Sequence, residues 1–281
     1  MRNDFSFDIS IIIVNYNSGS FLYECLKSII NALTIDYEVI VVDNHSSDDS
    51  MHRCRSFESD NIRFIFHPEN CGFSKANNVG ACYSRGRILH FLNPDTRLIA
   101  AMNADYRRVV SRYEEGKEGV FINSLENRDG SKEYGRNYIP LPLNYLTYLF
   151  CRKRALFYYI GATVILPRNT FDRIGGWNEL FFMYEEDMEL FYRIYQYKIP
   201  VSELPAVIGH YGGACSAGVW SSFERELLIQ KSLRLFYVHY RSVPEYWLMQ
   251  FLIVLSFMKR PMRAWWQIKV IWACLHDSQL K

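Results

Sequence analysis

Short runs of aliphatic residues recur along the first hundred positions, and each ends at a polar cluster. Ser10-Ile11-Ile12-Ile13-Val14 is the first, Val39-Ile40-Val41-Val42 the second, Ile62 to His67 the third and Ile88 to Leu92 the fourth. The first two lack polar alternation, as expected of strands covered on both faces. Between the runs the period changes. Phe21, Leu22, Cys25, Leu26, Ile29 and Ile30 recur at helical spacing, and Ser74 onward and Met102 to Tyr113 read as further helices. Ser46 or Ser47 is placed to cap another, with Asp48 and Asp49 in its first turn, where the helix dipole favours anions. Buried strands alternating with helices predict an α/β fold with a mostly parallel, doubly wound sheet.

Beyond Glu118 the rhythm loosens. Val120 to Asn123 suits a strand, whereas Leu125 to Pro142 is polar and loop-like. Val164-Ile165-Leu166 resumes as a strand, Glu186 to Tyr197 as a helix with Leu190, Phe191, Ile194 and Tyr195 on one side, and Val201 to Ile208 is extended. With 281 residues, 49% hydrophobic and 22% charged, the chain can bury a sizeable core. A formal charge of +2 argues against a dedicated nucleic-acid binder. The charge is unevenly placed: from Phe223 onward nine Lys/Arg face four Asp/Glu, and four of the six Trp lie there. Residues 1–222 are therefore expected to form the main domain, and 223–281 a basic, aromatic helical extension. The seven cysteines are scattered without a C-x-x-C pair, so neither a disulfide framework nor a zinc site is indicated. The run Ile9 to Val14 is too short for a signal peptide, and Asp4 and Asp8 precede it, so a reducing cytoplasm is expected.

In an open parallel sheet, ligands bind beyond the carboxyl ends of the strands. Three polar clusters fall there: Asn15-Tyr16-Asn17, Asp43-Asn44 and Asn93-Pro94-Asp95. Any one of them suits a turn; three together, each straight after an apolar run, favour a site. No G-x-G-x-x-G or G-x-x-x-x-G-K-[ST] is present to hold phosphate. A divalent cation on a carboxylate can neutralise a diphosphate instead, and Asp95 is well placed for that. Asp43 suits hydrogen bonding to a base or ribose.

Together, Ile12-Ile13-Val14-Asn15-Tyr16-Asn17, Val41-Val42-Asp43-Asn44-His45-Ser46-Ser47-Asp48, Asn70-Cys71-Gly72-Phe73-Ser74-Lys75-Ala76-Asn77-Asn78 and Leu92-Asn93-Pro94-Asp95-Thr96 resemble the family 2 inverting glycosyltransferases of the GT-A fold. The Asn-Pro-Asp-Thr form is most similar to bacterial rhamnosyltransferases. The resemblance continues through Gly161-Ala162, Gly175-Gly176-Trp177-Asn178-Glu179, Glu185-Glu186-Asp187 and His210-Tyr211-Gly212-Gly213, covering about Ser10 to Ser216.

The resemblance implies a GT-A (Rossmann-like) sheet and a nucleotide-sugar donor. Asp43 would contact the donor's pyrimidine, helped by Asn15, Tyr16 and Asn17, with Asn44, Asn70, Gly72, Lys75, Asn77 and Asn93 also on the donor side. Asn93-Pro94-Asp95 stands where the family usually has Asp-x-Asp, so Asp95 would carry Mg²⁺ or Mn²⁺ with one anionic contact fewer, and His210 would complete the metal shell. Asp187 matches the family's catalytic base, with Glu186 as the fallback. Gly161, Trp177, Asn178 and Glu185 would line the acceptor pocket, although Trp177 also suits a core. Three adjacent acids exceed what a helix start needs, and their mutual repulsion should raise at least one pKa.

Tyr246 to Met258 has 13 residues without a charge, short of the roughly 20 that cross a bilayer. Lys259, Arg260 and Arg263 follow, then Trp265, Trp266 and Trp272, an interleaving that suits a helix lying in a membrane interface. The alternative is a pair of helices packed on the domain or on a second subunit, as in a homodimer. The resemblance gives the membrane reading a context: a transferase peripheral on the inner face of the cell membrane, extending a polyprenyl-linked glycan such as O-antigen polysaccharide from dTDP-rhamnose. A sugar nucleotidyltransferase would want a Gly-rich, basic loop near the N-terminus, and Asn17-Ser18-Gly19-Ser20 is neither. A non-catalytic scaffold is disfavoured by the acids at Asp43, Asp95 and Asp187.

Overall fold

The computed structural model describes residues 5–133, 135–211, 221–257 and 261–276. Of the residues named above, Asp4, Gly212, Gly213, Ser216, Met258, Lys259 and Arg260 lie outside them. The four aliphatic runs form β1 (Phe7–Asn15), β2 (Tyr37–Asp43), β3 (Ile62–Phe66) and β4 (Gly86–Leu92). Helices α1 (Phe21–Ala32), α2 (Ser50–Cys54) and α3 (Phe73–Tyr83) connect them, as the alternation of periods predicts. All four strands run parallel, in the order β3-β2-β1-β4.

The second half adds β5 (Thr96–Arg97), α4 (Met102–Glu114), β6 (Val120–Glu126), β7 (Lys132–Glu133), β8 (Arg136–Tyr138), α5 (Pro142–Phe150) and β9 (Phe157–Tyr159). After these come β10 (Thr163–Pro167), α6 (Arg168–Arg173), α7 (Glu186–Gln196) and β11 (Val201–His210). The sheet continues from β4 through β10, β6 and β11 to β5, with β10 antiparallel to both neighbours. It is thus a mostly parallel GT-A-like α/β sheet in which β10 and the two-residue strands β5 and β7 run reversed. Helices cover both faces. Ile11, Ile13, Val39 and Val41 pack toward α1, while Ile12, Leu89 and Phe91 face a second core containing Trp177, Leu190 and Phe191.

Two expectations are corrected. Neither Ser46 nor Ser47 caps a helix; α2 begins four residues after Ser46, with Asp49 at its N-cap, and Ser46 Oγ instead accepts from Asn15. The stretch from Leu125 is not all loop, because β6 runs on to Glu126, β7 folds back on it, and a helix starts at Pro142.

Beyond residue 220, α8 (Ser222–Tyr240), α9 (Val243–Ser256) and α10 (Pro261–His276) follow. Ser221 and Glu224 close a capping box at the start of α8. Leu233, Phe236 and Tyr237 of α8 and Tyr246 and Met249 of α9 share one core with Phe181, Met188 and Tyr192. The extension is therefore packed on the helix that carries the acidic cluster. Among the described residues no helix is long and apolar enough to cross a membrane.

Candidate active site

Parallel strands end together, so β2, β1 and β4 deliver Asp43, Asn15 and Asn93 to one edge of the sheet, with Asn15 opposite Asp43 in register. There the polar side chains hold one another. Asn15 Nδ2 lies 2.9 Å from Asp43 Oδ1, Ser46 Oγ and Ser50 Oγ. Asn44 donates to Asn70 Oδ1 at 2.9 Å and accepts from the Cys71 N–H at 2.9 Å. Asn17 Oδ1 accepts from the Ser47 N–H at 2.7 Å. Gly72 starts α3 at φ +83°, and a Cβ there would lie 2.6 Å from Phe182 O, so glycine alone lets the two segments meet.

A cleft of about 340 Å³ opens at this edge. Tyr16, Asn44, Asn70 and Gly72 line one side, Asn93, Asp95 and His210 its floor, and Gly161, Glu186 and Asp187 the other side. Phe73, Phe182, Met183 and Tyr184 supply apolar wall.

The short strand β5 explains the floor. It begins just after Asp95 and pairs antiparallel with the end of β11, setting His210 opposite Thr96. His210 Nε2 is buried without a hydrogen-bond partner and stands 3.5 Å from Asp95 Oδ1. Its Nδ1 lies 2.6 Å from Glu133 Oε2, a residue that the sequence did not single out. Burial alone would depress the imidazole pKa, but the carboxylates of Asp95 and then Glu133 raise it above its ordinary value. An imidazole oriented by one carboxylate and aimed at another suits a divalent cation. Among the described residues no group of three His, Cys, Asp or Glu forms a full cage. Asp95 and His210 fit a cation that draws its remaining ligands from phosphate and water.

Opposite, α7 starts from two successive left-handed residues, Tyr184 and Glu185, both at φ 64°. The turn brings Glu186 and Asp187 into the cleft. Asp187 Oδ1 accepts from the Met188 N–H at 2.7 Å and Oδ2 from the Gly161 N–H at 3.1 Å. Burial raises the Asp187 pKa to about 6, against those N–H donors. Burial, then the Asp187 and Glu226 charges, push Glu185 up to about 8. Burial and Asp187 also push Glu186 well above the carboxylate range, and its Oε2 has no partner.

Several expected residues sit elsewhere. Asp43 is 6% exposed and does not line the cleft; Asn15 and the Ser46 N–H occupy its carboxylate. Trp177 is 1% exposed and packs edge-on against Phe73 and Phe91, so it is core rather than acceptor wall. Asn178 donates toward Glu189 and the Tyr240 hydroxyl, at 3.2 Å each. Asn77 bonds back to Phe73 O within α3. Asn15, Asn17, Lys75 and Glu185 are likewise absent from the cleft lining.

A nucleotide-sized cleft at the carboxyl ends of parallel strands, with a carboxylate–imidazole floor and an acidic wall, marks a class of α/β transferases. Residues 10–175 match the model of glycosyl transferase family 2, and the chain belongs to that family. It is 28% identical over 214 residues to the low-salt glycan biosynthesis hexosyltransferase Agl10 of Haloferax volcanii, covering 71% of this chain and 66% of that protein. Over 129 residues it is 32% identical to the minor teichoic acid biosynthesis protein GgaB of Bacillus subtilis, covering 44% of this chain and 14% of that protein. The chain thus spans less than two thirds of either relative. Its fold is similar to S. aureus TarS 1-349 in complex with UDP-GlcNAc, at TM-score 0.60 and 18% identity over 82% of this chain and 66% of that one. GalNAc-T7 with UDP, GalNAc and Mn²⁺ also gives TM-score 0.60, at 16% identity over 83% and 48% of the two chains.

Proposed function

We propose that this protein transfers a hexose, with inversion, from a nucleoside diphosphate donor to a hydroxyl of a growing glycan. The observation that carries the reading is a two-residue bridge. Ala162 O accepts from the Asn93 N–H at 3.0 Å while the Gly161 N–H donates to Asp187, tying the floor of the cleft to its acidic wall. A diphosphate on the floor and a hydroxyl at Asp187 then fit one in-line displacement. Asp187 accepts the hydroxyl proton as oxygen attacks the anomeric carbon, and the nucleoside diphosphate departs from the opposite face. A carboxylate with its pKa near 6 suits that role, since a base works best when its pKa lies near the operating pH. Glu186 is the alternative base. Asp95 and His210 would hold Mg²⁺ or Mn²⁺, which supplies Lewis-acid neutralisation of the leaving diphosphate.

Asn44, Asn70 and Tyr16 form the nucleotide side, with Asp43 held behind them by Asn15. TarS and GalNAc-T7, which share the fold, are described with UDP-GlcNAc and UDP respectively, in support of a nucleotide-sugar donor. The resemblance of Asn93-Pro94-Asp95-Thr96 to bacterial rhamnosyltransferases favours dTDP-rhamnose as the donor. The acceptor that we favour is a polyprenyl-linked surface glycan, met at the inner membrane face through the extension of residues 223–281.

The test is Asp187→Asn. Transfer should fall by about 10²–10⁴-fold while thermal-shift binding of the donor survives. Retained turnover would move the base elsewhere.

A further inference from the structure

The helix α5 turns its apolar residues outward. Leu143, Leu146, Leu149 and Phe150 form one stripe, with Leu143 77% and Phe150 82% exposed, while the polar Asn144 is buried. Arg152, Lys153 and Arg154 follow at once, all exposed. No Asp or Glu occurs between Glu133 and Asp172.

This segment is continuous with the extension. Leu143 and Leu248 line a shared crevice between α5 and α9, and the acid there, Glu245, is paired with Arg241 at 2.7 Å. Along α9, Trp247, Phe251 and Leu255 are exposed at helical spacing. On α10, which packs against α9, Trp265, Ile268 and Trp272 are exposed beside Arg263 and Lys269. From Tyr246 to His276 there is again no acid.

We propose that α5 and the basic turn of residues 152–154 form, with α9, a docking face for an anionic lipid bilayer. The inference goes beyond the C-terminal contact above, because it rests on a segment from the middle of the chain. Exposed Leu and aromatic residues on this scale exceed what a water-facing helix needs. Helices of 9 and 14 residues are too short to span a bilayer but suit its interface. The charge selects the occupant. A second copy joined about a twofold would bring one cationic rim against another, and a nucleic acid would meet leucines rather than a polar basic surface. An anionic leaflet satisfies both halves of the face.

The test is sedimentation of the full chain with phosphatidylglycerol/phosphatidylcholine vesicles and with pure phosphatidylcholine vesicles. Binding should require the anionic lipid and weaken at high salt. At about five-fold per cation, Arg152→Glu/Lys153→Glu/Arg154→Glu should weaken it by at least 100-fold. Leu149→Asp/Phe150→Asp should weaken it at least ten-fold, and circular dichroism should show both variants folded. Equal binding to both vesicle types would overturn the proposal, as would variants that bind normally. If only Trp265→Ala/Trp272→Ala reduced binding, the α5 proposal would fall and the tail contact would stand. A dimer in solution broken by the α5 variants, without vesicle binding, would assign the face to a second copy. Vesicle binding requires no turnover, so failure here leaves the transferase reading untouched.

Discussion

The two sides of the cleft solve the burial of polar groups in opposite ways. On the strand-end side, Asn15, Asp43, Ser46, Ser50, Asn44 and Asn70 satisfy one another before any ligand arrives. On the α7 side, Glu186 keeps an unpartnered oxygen, and desolvation raises all three acids, with the Asp187 charge adding to the shift at Glu185 and Glu186. The first side is hydrogen-bonded in advance. The second holds charge and proton affinity in reserve, which is what a proton acceptor needs.

Changes on each side should therefore fail differently. The largest effect in this comparison is expected on the floor that joins the sides. Asp95→Ala should weaken donor binding in Mn²⁺ by roughly 100-fold, as Lewis-acid contacts are worth several kcal/mol, yet leave metal-free binding nearly unchanged by calorimetry. Asn15→Ala should cost about 2 kcal/mol of stability in urea unfolding, by stripping partners from buried Asp43 and two serines. Glu133→Gln should lower metal affinity by about ten-fold, since Glu133 orients the His210 ring through Nδ1.

The smallest expected effect concerns pH. Raised carboxylate pKa values mean that the native state binds more protons than the unfolded chain, so stability falls as pH rises. The loss begins near the unfolded carboxylate values of about 4 and continues through pH 6 for Asp187 and pH 8 for Glu185. Glu185→Gln should flatten the upper part of that decline, by about 2–4 °C in melting temperature at pH 8. An unchanged slope would show that the two sides do not differ in this respect.

How legible the site was in the sequence follows from the same contrast. Parallel strands are encoded by local aliphatic runs, so Asn15, Asp43, Asn93 and Asp95 could be placed at one edge by pattern alone. Orientation at that edge could not: the Asp43 carboxylate is consumed by Asn15, which depends on a neighbouring strand. Glu133 gave no signal, because it reaches His210 from a two-residue strand too short to show a period. The helix α5 was missed because its stripe faces outward and its buried Asn144 bonds to Ile139 O and Leu156 O, reversing the usual pattern. Trp177 beside two glycines reads equally as binding wall or core, and packing decided for core.

The most direct test is the pH dependence of nucleoside diphosphate release between pH 4.5 and 8, for the wild-type protein and Asp187→Asn. The wild-type rate should rise with pH, level off just above pH 6 and lose that limb in the residual activity of the variant. A profile flat down to pH 4.5, or the same limb in both proteins, would contradict Asp187 as the group that takes the proton.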